Sequence, residues 1–121
     1  MTPGVLVVDD EPDVRSSVAD ILRDAGYEVE EACDGDEALD VLSRRKVDAM
    51  LLDLVMPRRD GIGVMEALTD PPPVLVVSAH RLDGPARSKL GDKVVDFLEK
   101  PVRPQELLAR VAMLVDRRNR P

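Results

Sequence analysis

Residues 5–13 read VLVVDDEPD: four aliphatic side chains, then Asp9, Asp10 and Glu11 with no basic residue beside them. Adjacent carboxylates repel by about 4 kcal/mol at roughly 4 Å in a partly screened site, so this arrangement calls for a cation. The same pattern, an aliphatic run closed by a polar group, recurs along the chain. Residues 49–52 end in Asp53, residues 74–77 end in Ser78, and residues 94–98 are followed by Lys100. If the runs are strands of one parallel sheet, these groups meet at its carboxyl edge, where open α/β sheets bind ligands. Three carboxylates in one place suit a hard cation with oxygen ligands and a partly hydrated shell. That is Mg2+ (or Mn2+) rather than zinc, because no cluster of His or Cys is present. Bound Mg2+ would draw in phosphate oxygens, with Lys100 and the Ser78 hydroxyl taking the remaining ones. One carboxylate would be left as a nucleophile able to form an acyl phosphate.

The elements needed to position these groups are legible in the spacing. Residues 5–8, 49–52, 74–77 and 94–98, with a weaker run at 27–32, have strand character. Those from Ala49 and Val74 are nearly continuous, as in parallel strands covered on both faces. Helical stripes lie between them. Val14, Val18, Ile21, Leu22 and Ala25 form one, closed by Gly26. Ala38, Leu39, Val41 and Leu42 form another, with Asp34 or Asp36 to cap its start. Ile62, Met65 and Leu68 suggest a third, and a fourth falls near 85–90, shortened by Gly84, Pro85 and Gly91. Leu107, Leu108, Val111, Leu114 and Val115 follow Pro104, which suits a first helical turn. Five strand–helix repeats predict an α/β fold with right-handed crossovers and helices on both faces of a parallel sheet.

Bulk properties narrow the function. A chain of 121 residues is expected to be one domain, with 116–121 a frayed tail or the start of a linker. A net charge of −7 argues against nucleic acid or an acidic membrane as a direct partner. No apolar run approaches the ~20 residues of a membrane span, and no signal peptide is visible. Cys33 is the only cysteine, which excludes an internal disulfide, suits a cytoplasmic setting, and reads as a small buried hydrophobe near the second strand.

The stretches VLVVDDEP, EACDGDEALDVL, DAMLLDLVMPRRDGIGVM, VLVVSAH and VDFLEKPVRPQELLARV, in this order, resemble the receiver domain of two-component response regulators. The resemblance implies a doubly wound, flavodoxin-like sheet of order 2-1-3-4-5. It implies that Asp53 is the phosphoacceptor, Asp10 a direct Mg2+ ligand, Asp9 a ligand through water, and the Val55 carbonyl a further ligand. Ser78 would move onto the phosphoryl group, Lys100 would pair with it, and Phe97 would be the switch aromatic that turns inward. A cis Lys100–Pro101 bond would aim the ammonium into the pocket. Val55 and His80 would overhang the phosphoryl group, Val55 hindering attacking water and His80 modulating dephosphorylation. Arg15, Ser16 and Ala19 on the first helix are candidates for contact with a sensor histidine kinase or phosphotransfer protein. Output would pass to an effector domain or downstream protein through the face of the fourth helix, fifth strand and fifth helix. The domain would act as a monomer or a phosphorylation-dependent homodimer, catalysing its own phosphorylation and slow dephosphorylation without turning over as an enzyme.

Rival readings differ at named positions. An aspartate-based phosphatase wants a second Asp two residues after the nucleophile, where this chain has Val55. A nucleotide or flavin domain needs a phosphate-cradling loop where Asp9 and Asp10 stand. A phosphorylation-independent receiver-like interaction module is the remaining alternative, and the complete set Asp9, Asp10, Asp53, Ser78 and Lys100 speaks against it.

Overall fold

A computed structural model describes residues 2–53, 71–79 and 94–119. Strand β1 (Gly4–Val8) leads into helix α1 (Pro12–Asp24), then β2 (Glu28–Ala32), α2 (Gly35–Arg44), β3 (Ala49–Leu52), β4 (Val74–Ser78), β5 (Val94–Glu99) and the C-terminal helix α3 (Pro104–Asn119). The five strands are parallel, in the order β2-β1-β3-β4-β5.

Each helix starts where its sequence directs. Pro12 begins α1, a position where a missing N–H costs nothing, and Asp13 and Arg23 complement the helix dipole at the two ends. The helix stops at Ala25, and Gly26 turns the chain at φ +99°, a left-handed conformation that favours glycine. Asp34 caps α2, its Oδ1 accepting the Glu37 N–H at 2.8 Å.

Alternation along β1 divides the core between the two faces of the sheet. Leu6 and Val8 pack with Ala38 and Val41 of α2, and with Met50, Leu52 and Val76. Val5 and Val7 pack with Val18 and Leu22 of α1 and with Leu107, Val111 and Leu114 of α3. β1, β3 and β4 are central and buried along nearly their whole length. The edge strand β2, sequence EVEEA, carries charge that solvent and ion pairs accept. Glu30 meets Arg45 at 2.9 Å, and Glu31 meets both Arg15 and Arg23 at 3.3 Å. At the other edge, the β4–β5 register shifts between Val74 and Leu75, so that Val76 stands opposite Phe97 and Ser78 opposite Glu99.

Helix α3 includes residues 116–119 of the expected tail. Three expectations need correction. Cys33 is only half-buried: extended chain alternates faces, so the residue after buried Ala32 points away from the core. Ala19 is fully buried, because it adjoins Leu22 on the sheet-facing side of α1, and it is closed to any partner. Ala25 is exposed, since the helix ends there. The expected third and fourth helices, Val55 and His80 lie outside the described residues.

Candidate functional site

The polar residues that follow the strands are laced together by the sheet itself. The Asp9 N–H donates to the Ala32 carbonyl at 3.1 Å, that of Asp53 to Val8 at 3.0 Å, and that of Lys100 to Ser78 at 3.0 Å. The ladder thus runs one residue past the strand ends and fixes the main chain from which three of the candidate side chains spring. Asp9, Asp53 and Ser78 are buried, at 4%, 6% and 5% exposure, whereas Asp10 and Glu11 are exposed.

Carboxylate oxygens of Asp9, Asp10, Glu11 and Asp53 all lie within 4.8 Å of one another. The cation demanded by the sequence is in part Lys100. Its Nζ lies 2.9 Å from Asp9 Oδ2, 3.0 Å from Glu11 Oε1 and 3.2 Å from Asp53 Oδ2. Burial by itself would lower the lysine pKa. The hydrogen bonds to Asp9, Glu11 and Asp53 outweigh it and hold the pKa above its ordinary value, so the ammonium stays charged. The Lys100–Pro101 peptide is cis, as the resemblance implied.

One ammonium faces four carboxylates, and the excess negative charge fits a further cation. Every donor in the cluster is a carboxylate oxygen, the chemistry of a hard divalent ion such as Mg2+ and not of zinc. Asp9, Asp10 and Asp53 are the residues that would hold it.

Two residues carry more of the site than the sequence suggested. Glu11, raised at the outset only as one of three adjacent acids, is a direct partner of Lys100 from 89 positions away. Arg15, expected to face a partner, is committed inside the protein: Nη1 donates to the Asp9 carbonyl at 2.9 Å and Nε to Glu31 at 3.3 Å. It ties the carboxyl end of β1 to β2. Of the three kinase-contact candidates on α1, Ser16 is the exposed one. Phe97 is half-buried and packs against the cluster formed by β1, β3 and α2. By alternation it shares its sheet face with Val76 and Ser78. Beside Lys100 and Glu11, a groove of about 530 Å³ opens between α1 and the segment after β5, lined by Val14, Ile21, Pro101 and Val102. No helix among the described residues is long and apolar enough to cross a membrane.

Known proteins share this fold. Residues 5–112 match the family described as the response regulator receiver domain. The response regulator MprA of Mycobacterium tuberculosis is 41% identical over 124 residues, an alignment covering 100% of this chain and 54% of that protein. The chain therefore spans about half the length of the curated relatives it matches. A CheY-like response regulator receiver domain protein from Methanospirillum hungatei superposes with a TM-score of 0.89 at 25% identity, covering 98% of this chain and 97% of the other. The chemotaxis protein CheY4 of Vibrio cholerae superposes with a TM-score of 0.85 at 30% identity, covering 94% and 99%. The family match over residues 5–112, the 41% identity and the 2-1-3-4-5 parallel sheet agree: this chain belongs to the receiver domain family of two-component response regulators.

Proposed function

We propose that this receiver domain takes a phosphoryl group onto Asp53 and uses it to shift between two packings of the strands around Ser78. The observation that carries the reading is Asp53 itself. It is a buried carboxylate held by Lys100 at 3.2 Å, with the oxygens of Asp9 and Asp10 within 4.8 Å. Mg2+, held by Asp9, Asp10, Asp53 and the Val55 carbonyl, would supply charge neutralisation for the transferring group.

The chain's own residues do the rest. A phosphohistidine of a kinase or phosphotransfer protein docks at the groove beside α1, where Val14, Ile21 and Pro101 offer apolar surface. An Asp53 oxygen attacks phosphorus in line. The new O–P bond forms as the P–N bond breaks, and the departing imidazole keeps the electron pair and takes up a proton. Lys100 binds the charge that develops on the phosphoryl oxygens, a preorganised cation in a water-poor site. The phosphoryl group, with three acceptor oxygens, then draws the Ser78 hydroxyl. Movement of Ser78 makes room for Phe97, which sits on the same sheet face and turns inward. The change is read out at the face of β5 and α3, by an output domain or partner protein. Val55 and His80 set how fast water reverses the modification.

Incubation with a small acyl phosphate and Mg2+, followed by intact mass measurement, tests the reading. One added phosphoryl group, absent in Asp53→Asn, is expected. Continuous phosphate release would point to a phosphatase, and no uptake from any donor to an interaction module that works without phosphorylation.

A further inference from the structure

The Lys100 ammonium is closed in by three carboxylates: it donates to Glu11 at 3.0 Å and to Asp53 at 3.2 Å, and it is ion-paired with Asp9 at 2.9 Å. To take a phosphoryl oxygen, an ammonium so surrounded must loosen its hold on one of these partners. The three differ sharply in what leaving costs. The side chains of Asp9 and Asp53 are 6% and 8% exposed, and a buried carboxylate stripped of its cation suffers the full desolvation penalty. That of Glu11 is 59% exposed and returns directly to water. Among the described residues, Glu11 also has no second side-chain partner to hold it. It sits at the N-cap of α1 but makes no side-chain cap hydrogen bond, and its main-chain N–H is secured separately by Asp9 Oδ1 at 2.9 Å.

We propose that Glu11 is a displaceable counter-anion for Lys100, occupying the ammonium in the unphosphorylated protein and yielding it to the phosphoryl group on Asp53. It is a positioning residue that acts through Lys100, and the proposal rests on Asp53 being the phosphoacceptor. With a small acyl phosphate as donor, an Asp53 oxygen bonds to phosphorus while the bond from phosphorus to the acyl oxygen breaks. The carboxylate product leaves with the electron pair. The site gains negative charge as Lys100 exchanges Glu11 for a phosphoryl oxygen.

Glu11 therefore opposes the transfer, and Glu11→Ala is expected to speed it. At saturating Mg2+, phosphorylation by acetyl phosphate should accelerate about two- to fivefold, the range of one exposed ion pair. Asp13→Ala removes the same charge two residues away and should have a markedly smaller effect. A second readout is independent of rate: the side-chain carboxyl 13C resonance of Glu11 should move on adding beryllofluoride and Mg2+, toward its position in unmodified Lys100→Gln. Equal acceleration by Glu11→Ala and Asp13→Ala would reduce the effect to general charge and overturn the proposal. So would slower transfer in Glu11→Ala, or a Glu11 resonance indifferent to beryllofluoride. Failure of the unmutated protein to take up a phosphoryl group at Asp53 would instead overturn the reading of the site.

Discussion

Two clusters of acids in this protein solve the same repulsion in different ways. Around Asp53 the answer is a cation, Lys100, kept protonated by three carboxylates. Around Cys33 the answer is a retained proton. The thiol donates to Glu37 Oε2 at 2.8 Å, with Asp34 also near. The hydrogen bond to Glu37, then burial, then the charges of Glu37 and Asp34 push the thiol pKa above its ordinary value. A raised pKa means less thiolate at pH 8, and thiolate is the nucleophile. Glu37→Gln removes the charge and lowers the pKa, so Cys33 should react with iodoacetamide about two- to fivefold faster at pH 8. An unchanged rate would show that Glu37 does not control this thiol. The contrast also marks what a sequence discloses. Asp9, Asp10, Asp53, Ser78 and Lys100 were visible because each stands at or just beyond the end of an aliphatic run, so topology alone predicts that they converge. Glu11 and Arg15 were not, because their roles depend on how far a flexible side chain reaches across to another element.

At the scale of elements, the sequence was legible wherever one signal outweighed its neighbours. Central strands announced themselves as aliphatic runs, and Pro104 and Gly26 marked helix ends through backbone constraints that hold in any context. The face of α1 was harder. Alanine is small enough for either side of a helix, so the burial of Ala19 follows from the contacts of Leu22 and Val18 rather than from its own character. The start of α2 was ambiguous for a related reason: Asp34 and Asp36 are both good capping residues, and only the geometry selects Asp34. That choice has a measurable consequence. Asp34→Ala should destabilise the fold by about 1 kcal/mol through loss of the cap, whereas Asp36→Ala, at an exposed first-turn position, should cost a fraction of that. Urea denaturation of the two variants decides it, and equal losses would deny Asp34 its capping role.

For the molecule as a whole, the acid cluster exists only when the sheet does. Asp9, Asp10 and Glu11 are neighbours in any conformation, but Asp53 reaches them only through the pairing of β1 with β3, and Lys100 only by closure of β5 beyond β4. A divalent ion that needs this assembly binds the folded state alone and must stabilise it. At a free concentration a hundredfold above its dissociation constant, the gain is about 2.7 kcal/mol, on the order of 10 °C in melting temperature for a domain of this length. Asp10 is the informative position. It is exposed and, among the described residues, makes no hydrogen bond or ion pair, so without a divalent ion it contributes mainly repulsion to its neighbours. Asp10→Asn should therefore leave the protein in a chelator as stable as before, or more stable by up to about 1 kcal/mol. The same substitution should abolish most of the stabilisation by Mg2+. Thermal denaturation of both proteins, with chelator and with a Mg2+ series, separates the two effects. A Mg2+-dependent shift that survives Asp10→Asn undiminished would place the ion elsewhere, and the convergence of β1 and β3 would then need another explanation.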